Sequence, residues 1–136
     1  MDTQRLKVLL INSHKPDNEV IKMVMLQHGF DVTLVSAQAS AMKEALQHKY
    51  DIILMDINLN GIEESGFEIA SQIKKNCAIN KTTPMIGVMS SDEPGYNKKS
   101  KVVGMEGYIN HPFEHADANY VYSLIVNKHL QDFKAM

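Results

Sequence analysis

The feature that most constrains this chain is a fivefold alternation of short apolar runs with stretches of helical periodicity. The runs are apolar throughout rather than alternating, which is typical of strands covered on both faces of a parallel sheet. The predicted strands span residues 7–12, 31–35, 51–56, 84–89 and 105–109. With right-handed crossovers, such strands form a doubly wound sheet ordered 2-1-3-4-5. We therefore predict a three-layer α/β fold with helices on both faces.

The intervening segments place apolar residues at helical spacing, which predicts one buried face on each helix. The residues expected to point inward are Ile21, Val24, Met25 and His28; Ala41, Ala45 and Leu46; Ile69, Ala70, Ile73 and Cys77; and Val121, Leu124 and Ile125.

The expected helix ends rest on short polar and proline signals. Ser36 is expected to cap the second helix, and residues 65–68 (SGFE) form a capping-box pattern that opens the third. Residues 90–93 (SSDE) could cap a fourth helix, which Pro94 and Gly95 would keep short. Pro112 suits the first turn of the last helix.

Length and composition exclude several classes of protein. The 136 residues fit a single domain over residues 1–136, and a net charge of −2 gives no basic field for nucleic acid. The one cysteine, Cys77, cannot form an internal disulfide, which is consistent with a reducing cytoplasm. The apolar run of residues 8–11 is too short for a signal peptide, and no stretch approaches membrane-spanning length. We expect a cytoplasmic protein that acts away from membranes.

Polar residues follow the strands where the sheet order reverses. In doubly wound sheets a ligand binds beyond the carboxyl ends of the strands at this point, here between strands one and three. Asn12, Ser13, His14 and Asp56 are the residues expected there, with His111 ending strand five beside them. A carboxylate at the end of the most apolar strand is costly unless it faces an opening, which singles out Asp56.

Four stretches together resemble the receiver domain of bacterial two-component response regulators, over nearly the whole chain. They are DIILMDINLNG, PMIGVMSSDEP, GMEGYINHPF and KPDNEVIKMVMLQHGF. The resemblance implies a flavodoxin-like fold in which Asp56 accepts a phosphoryl group from a histidine kinase or a phosphotransfer protein. It also implies a lysine that is followed directly by a proline, with a cis peptide bond between the two. In this chain His111 occupies the position of that lysine.

The chain departs from this pattern at several positions. Two acids that hold Mg²⁺ normally end strand one, but here those positions are Asn12 and Ser13, or Ser13 and His14. The hydroxyl residue ending strand four falls on Met89, with Ser90 one step further. Only the Asp56 carboxylate and the backbone carbonyl of the nearby Asn58 then remain for Mg²⁺, so its binding is expected to be weak. The loop after Asp56 also looks about two residues longer than in the family. These departures predict a degenerate receiver, or pseudo-receiver.

Two functions therefore stay open, and neither is enzymatic. One is an atypical receiver in a phosphorelay with Asp56 as the phosphoacceptor, and the other is a phosphorylation-independent module for protein–protein interaction. A cofactor-binding flavodoxin is disfavoured, because the turn after strand one lacks a phosphate-cradling Gly-rich run. His111 could replace the lysine when protonated, or join His14 and Asp56 in a zinc site.

The resemblance also implies an output face built from the fourth helix, the fifth strand and the fifth helix. This face would bind a downstream protein and would also serve a homodimer. Its candidate residues are Tyr108, which matches the family's switch aromatic, and Lys98, Lys99, Lys101, Tyr120 and Tyr122. Tyr108→Ala is expected to weaken partner binding without unfolding the domain.

Overall fold

A five-stranded parallel sheet organises the structure, a computed structural model that describes residues 5–89 and 95–134, apart from the side chain of Asn97. In chain order the elements are β1 (Leu6–Ile11), α1 (Lys15–Gln27), β2 (Phe30–Val35), α2 (Gln38–Gln47), β3 (Ile52–Asp56), α3 (Ser65–Asn76), β4 (Met85–Met89), α4 (Tyr96–Val102), β5 (Gly107–Asn110) and α5 (His115–Lys134). Short 3₁₀ turns lie at Leu59–Gly61 and Ala78–Asn80. The strand order is β2-β1-β3-β4-β5 with every pair parallel, which confirms the predicted fold.

The sheet separates two hydrophobic clusters, as expected for strands that are apolar on both faces. In β3, Ile53 and Met55 pack with α2, α3 and α4, whereas Ile52 and Leu54 pack with α1 and α5. All four side chains are fully buried. This alternation follows from the pleat, which directs successive side chains to opposite faces.

The fifth strand begins two residues later than predicted. The Met105 N–H donates to the carbonyl oxygen of Ser100 at 2.8 Å, so it closes the end of α4 instead of joining the sheet. The Glu106 N–H then reaches the Met85 carbonyl oxygen, and β5 pairs with β4 from Gly107 onward. The hydrogen bond that ends the helix therefore delays the start of the strand.

Most of the predicted inward-facing residues are buried. Eleven of the fourteen side chains are buried, His28 and Leu124 are half-buried, and Leu46 is 52% exposed, so the prediction for Leu46 is wrong. The buried stripe of α2 is set by Ala41 and Ala45, and Leu46 lies about 100° further around the helix. His28 lies just after the end of α1 and is half-buried. None of the described helices combines the length and apolar content needed to span a membrane.

The predicted caps of α2 and α3 are not formed. Ala37, not Ser36, is the N-cap residue of α2. Glu64 is the N-cap residue of α3 and adopts a left-handed backbone conformation with φ of 61°. Ser65 is already helical, and its hydroxyl donates to the Leu59 carbonyl oxygen at 3.1 Å. Its hydroxyl therefore ties the preceding turn to the helix rather than capping α3.

The start of α5 also differs from the prediction. Pro112 precedes the helix, which begins at His115, and the His111–Pro112 peptide bond is cis. The cap predicted for α4 at residues 90–93 lies outside the described residues.

Asn80 is a buried amide beneath the amino-terminal edge of the sheet, where its side chain joins three segments. Its Nδ2 donates to the carbonyl oxygens of Ala45 and His48, both at 2.7 Å. Its Oδ1 accepts hydrogen bonds from the Tyr50 N–H at 3.0 Å and the Thr83 hydroxyl at 2.9 Å. The side chain is fully buried, and both of its polar atoms have partners. Asn80 thus connects α2 to the segments that lead into β3 and β4.

Candidate functional site

A pocket of about 410 Å³ opens at the carboxyl edge of the sheet, where the loops after β1, β3 and β5 meet. Its lining residues are Asn12, Ser13, His14, Asp17, Asp56, Asn58, Gly61 and His111. The structure therefore brings together six residues that the sequence pointed to, and adds Asp17 and Gly61. The pocket lies at the switch point of the sheet, where β1 and β3 are adjacent.

Asp56, the last residue of β3, presents its carboxylate to this pocket while remaining partly buried. The Asn58 backbone N–H donates to its Oδ1 at 2.9 Å. Burial raises the pKa of the Asp56 carboxyl above its ordinary value, and the negative charge of Asp17 adds to the rise. Hydrogen bonds from the Asn58 and Ser13 backbones and the electrostatic interaction with His111 oppose this rise in pKa. The carboxylate is thus oriented by main-chain donors yet incompletely stabilised, which is typical of a functional carboxylate.

The backbone that carries Asp56 is packed tightly against the first turn of α3 by Gly66. A Cβ atom at this position would lie 2.2 Å from the Asp56 carbonyl oxygen and 2.7 Å from the Ile57 Cα. The Gly66 N–H donates to the Ile57 carbonyl oxygen at 2.8 Å. Glycine is therefore required here by close approach, and it fixes the distance between α3 and the end of β3.

Asp17 is the site residue that sequence reasoning missed. It lies in the first turn of α1, and its Oδ2 is 2.8 Å from Nδ1 of His14 and 3.4 Å from Nε2 of His111. The two imidazoles therefore contact one carboxylate, and that carboxylate is not Asp56. The available signal was Pro16, which marks the start of α1 and so places the next residue at the same edge of the sheet.

This arrangement changes two expectations about metal ions. The pocket holds two carboxylates, from Asp17 and Asp56, rather than the single one that the sequence indicated. The zinc site predicted from His14, Asp56 and His111 is not formed, because both histidines are directed to Asp17. Across residues 5–89 and 95–134, no three histidine, cysteine, aspartate or glutamate residues are grouped so that they could hold a metal ion.

The end of β1 offers an amide where the family pattern expects an acid. Asn12 is 1% exposed, and its Nδ2 donates to Oδ1 of Asn18 at 2.7 Å. Asn18 in turn donates to the Asn12 carbonyl oxygen at 3.1 Å. The Asn12 Oδ1 is buried without a hydrogen-bond partner among the described residues. This unpaired acceptor is a favourable position for a donor or a cation, because an unsatisfied buried oxygen is costly.

Ser13 and Asn58 hold the pocket loops in place. The Ser13 hydroxyl oxygen accepts a hydrogen bond from the Asn60 N–H at 2.9 Å, which joins the loops after β1 and β3. Oδ1 of Asn58 accepts from the Glu64 N–H at 2.8 Å, and its backbone carbonyl oxygen accepts from the Gly61 N–H at 3.0 Å. The Asn58 carbonyl retains a second lone pair.

Met89 was also predicted for this pocket, but it does not line it. Met89 is 2% exposed and packs in the hydrophobic cluster that contains residues of α2 and α3. Ser90 lies outside the described residues. No hydroxyl group from the described part of β4 therefore reaches Asp56.

The predicted output face separates into two regions. Tyr108 of β5 is half-buried, and the Tyr120 hydroxyl lies against Gly107, while Tyr122 is 53% exposed on α5. Lys98 and Lys99 instead line a depression between α4 and α3. Lys101 is exposed near the end of α4. Lys98 and Lys99 therefore lie beside α3, in a depression that does not include the three tyrosines.

Comparison with known proteins gives a consistent family assignment. A family model described as the response regulator receiver domain matches residues 8–119. The hybrid signal transduction histidine kinase G of Dictyostelium discoideum is 26% identical over 88% of the chain, which spans 4% of that protein. The probable transcriptional regulator ycf29 of Pyropia yezoensis is 27% identical over 89% of the chain, which spans 52% of its length. The chain thus spans about half or less of these relatives.

A solved structure shows the same fold. It is the receiver domain of the sensor histidine kinase PA1611 from Pseudomonas aeruginosa PAO1, crystallised with a magnesium ion coordinated in its active-site cleft. It superposes with a TM-score of 0.77 at 24% identity, covering 89% of this chain and 98% of that one. At this identity the similarity concerns the fold.

Proposed function

This chain belongs to the response regulator receiver domain family of two-component signalling, and we propose that it acts as an atypical receiver with Asp56 as its phosphoacceptor. The observation that carries the proposal is the Asp56 carboxylate itself. It lies at an open pocket at the switch point of the sheet, where backbone N–H groups orient it and a second carboxylate lies nearby. The phosphodonor would be a histidine kinase or a phosphotransfer protein.

Asp17 gives this pocket more capacity for Mg²⁺ than the sequence indicated. The oxygen atoms available are the carboxylates of Asp17 and Asp56 and the backbone carbonyl of Asn58. These are ligands that Mg²⁺ prefers, and the unpaired Oδ1 of Asn12 lies at the same edge. When bound, the ion would neutralise charge on a transferring phosphoryl group. We propose that Asp17 supplies the charge that the missing strand-one acids would otherwise provide.

The other side chains that would contact a phosphoryl group on Asp56 stabilise it less than those of the family pattern. Met89 cannot donate a hydrogen bond to a phosphoryl oxygen, and its side chain is in the core. His111 takes the lysine position, but its Nε2 is directed to Asp17. Phosphoryl transfer depends on such electrostatic stabilisation, so we expect Asp56 to be phosphorylated more slowly than in receivers with the full set.

The presence of Met89 at the hydroxyl position and of His111 at the lysine position also supports a second candidate function, a pseudo-receiver that binds proteins without phosphorylation. In either case we propose one non-enzymatic, cytoplasmic domain over residues 1–136. Its β5–α5 surface, which carries Tyr108, Tyr120 and Tyr122, would bind a downstream protein or a second copy of the chain. Tyr108→Ala would then weaken that contact and leave the fold intact.

Incubation with Mg²⁺ and acetyl phosphate, followed by intact-mass measurement, distinguishes the two functions. The first predicts a mass gain of one phosphoryl group in the wild type and none in Asp56→Ala. Asp17→Asn should require a higher Mg²⁺ concentration for the same gain, while Asp31→Asn, on the exposed edge strand, serves as the matched control. No gain in the wild type at any Mg²⁺ concentration would reject the phosphoacceptor and favour the pseudo-receiver.

A further inference from the structure

A long groove runs between α3 and α4, and its lining does not include the tyrosines of the β5–α5 surface. It consists of two adjoining depressions of about 380 and 430 Å³ that share Val102 and Val103. We call this surface the α3–α4 groove. Its lining residues are Glu64, Phe67, Glu68, Ser71, Lys74, Lys75, Lys81, Lys98, Lys99, Val102, Val103 and Gly104.

The α3 wall of the groove is one continuous helix face. The spacing of three or four that places side chains on one side of a helix is followed by Phe67, Glu68, Ser71, Lys74 and Lys75, and Glu64 adjoins this face at the N-cap. This face extends along the whole of α3, whose 12 residues span about 18 Å. The groove therefore has the length of a helical segment of about three turns, rather than that of a small molecule.

The floor of the groove is apolar and partly open to solvent. Val102 is 79% exposed, Val103 is half-buried, and Phe67 closes the floor with its ring packed edge-on against Tyr96. The aliphatic chain of Lys74 also lies over Gly104, with its Cε 3.6 Å from the position of a Cβ there. Val102, Val103 and Phe67 together give the groove an apolar floor that the apolar face of a partner can cover.

The walls of the groove carry a positive charge that the chain as a whole lacks. Five lysines and two glutamates line it, whereas the net charge of the protein is −2. One glutamate, Glu64, is already paired with Lys99, and the Lys74 ammonium donates to the Thr83 carbonyl oxygen. Lys75, Lys81 and Lys98 are exposed along the rim. The charge distribution thus complements an acidic partner.

From this combination we propose that the α3–α4 groove binds an acidic amphipathic segment of a partner protein. The apolar face of the segment covers Val102, Val103 and Phe67, and its carboxylates face the lysines of the rim. Nucleic acid fits less well, because the floor is apolar and two carboxylates line the wall. The groove differs from the β5–α5 surface, and its use does not require phosphorylation of Asp56.

Fluorescence anisotropy with a labelled peptide of about 12 residues tests this directly. The probe carries leucines at helical spacing with glutamates at the other positions, and a matched peptide carries lysines in place of the glutamates. We expect the acidic peptide to bind and the lysine peptide not to bind, and we expect added salt to weaken the binding. Val102→Glu should weaken the binding at least about tenfold, because it places a charge on the apolar floor. Lys98→Glu should weaken it through charge alone.

Met23→Glu is the matched control, because Met23 is 56% exposed on α1, which packs on the face of the sheet opposite α3 and α4. It should leave peptide affinity unchanged. Equal binding of the acidic and lysine peptides, or wild-type affinity in both Val102→Glu and Lys98→Glu, would overturn the proposal. A dimer in gel filtration that Val102→Glu converts to a monomer would also overturn it, and would assign the groove to a second copy of this chain.

Discussion

Replacing Asn80 with alanine should destabilise the domain severely, because the Asn80 side chain makes four hydrogen bonds, three of them buried and one partly buried. Each such bond contributes about 0.5–1.5 kcal/mol, and the substitution also leaves buried backbone groups without partners. We expect the free energy of unfolding to fall by about 4 kcal/mol, against a total of about 5–15 kcal/mol for a domain of this kind. At about 4 °C per kcal/mol, the melting temperature should fall by about 15 °C.

Urea denaturation followed by circular dichroism gives this free energy directly. An unchanged m-value would show that the same surface is exposed on unfolding in both proteins. Asn127→Ala, at an exposed position of α5, is the matched control and should change the stability by less than about 0.5 kcal/mol. A loss of less than about 1 kcal/mol for Asn80→Ala would refute the reasoning, since it would mean that water or a rearrangement replaces all four bonds.

Two further substitutions test the site. Asp56→Asn should stabilise the protein at neutral pH, because burial raises the pKa of this carboxyl and the folded state therefore disfavours its ionised form. The gain in the free energy of unfolding should shrink as the pH falls through the raised pKa of Asp56 toward the ordinary carboxyl range. Urea denaturation at several pH values measures this gain, and no gain at neutral pH would contradict the prediction. Gly66→Ala should cost about 1–3 kcal/mol in thermal denaturation, because its Cβ would lie 2.2 Å from a backbone oxygen. Glu68→Ala, exposed on the same helix, should be nearly neutral, and an equally small effect of Gly66→Ala would argue against the close packing.

The fold was predictable because strand order follows from a pattern that covers the whole chain. Runs that are apolar throughout identify buried parallel strands, and right-handed crossovers leave few arrangements for five of them. The position of Asp56 at the pocket followed from the same rule. Cap positions such as Ser36 and Ser65 were wrong, because a local hydroxyl signal does not reveal which neighbouring backbone groups are already satisfied.

The contacts between side chains inside the pocket could not be predicted from the sequence. The ends of the strands show which residues are close to each other, but not the direction in which each side chain points. His14 and His111 both contact Asp17, which comes from a helix rather than from a strand end. Asp17 was therefore missed, and the zinc site was wrong.

The lysines of α4 illustrate a similar limit. Their place in the sequence indicated only that they belong to the fourth helix, and a helix presents different residues to each neighbour. Lys98 and Lys99 line the depression beside α3, whereas Tyr108 lies on β5. The packing of α4 between α3 and β5 determines which of its side chains face each neighbour.

The burial of Cys77 makes the protein convenient for site-specific labelling. It is the single cysteine of the chain, it is fully buried, and burial raises the pKa of its thiol. Since the thiolate is the form that reacts with maleimides, this side chain should remain unmodified in the native protein. A dye or spin label can therefore be attached to a cysteine introduced at any exposed position, with the native thiol left in place.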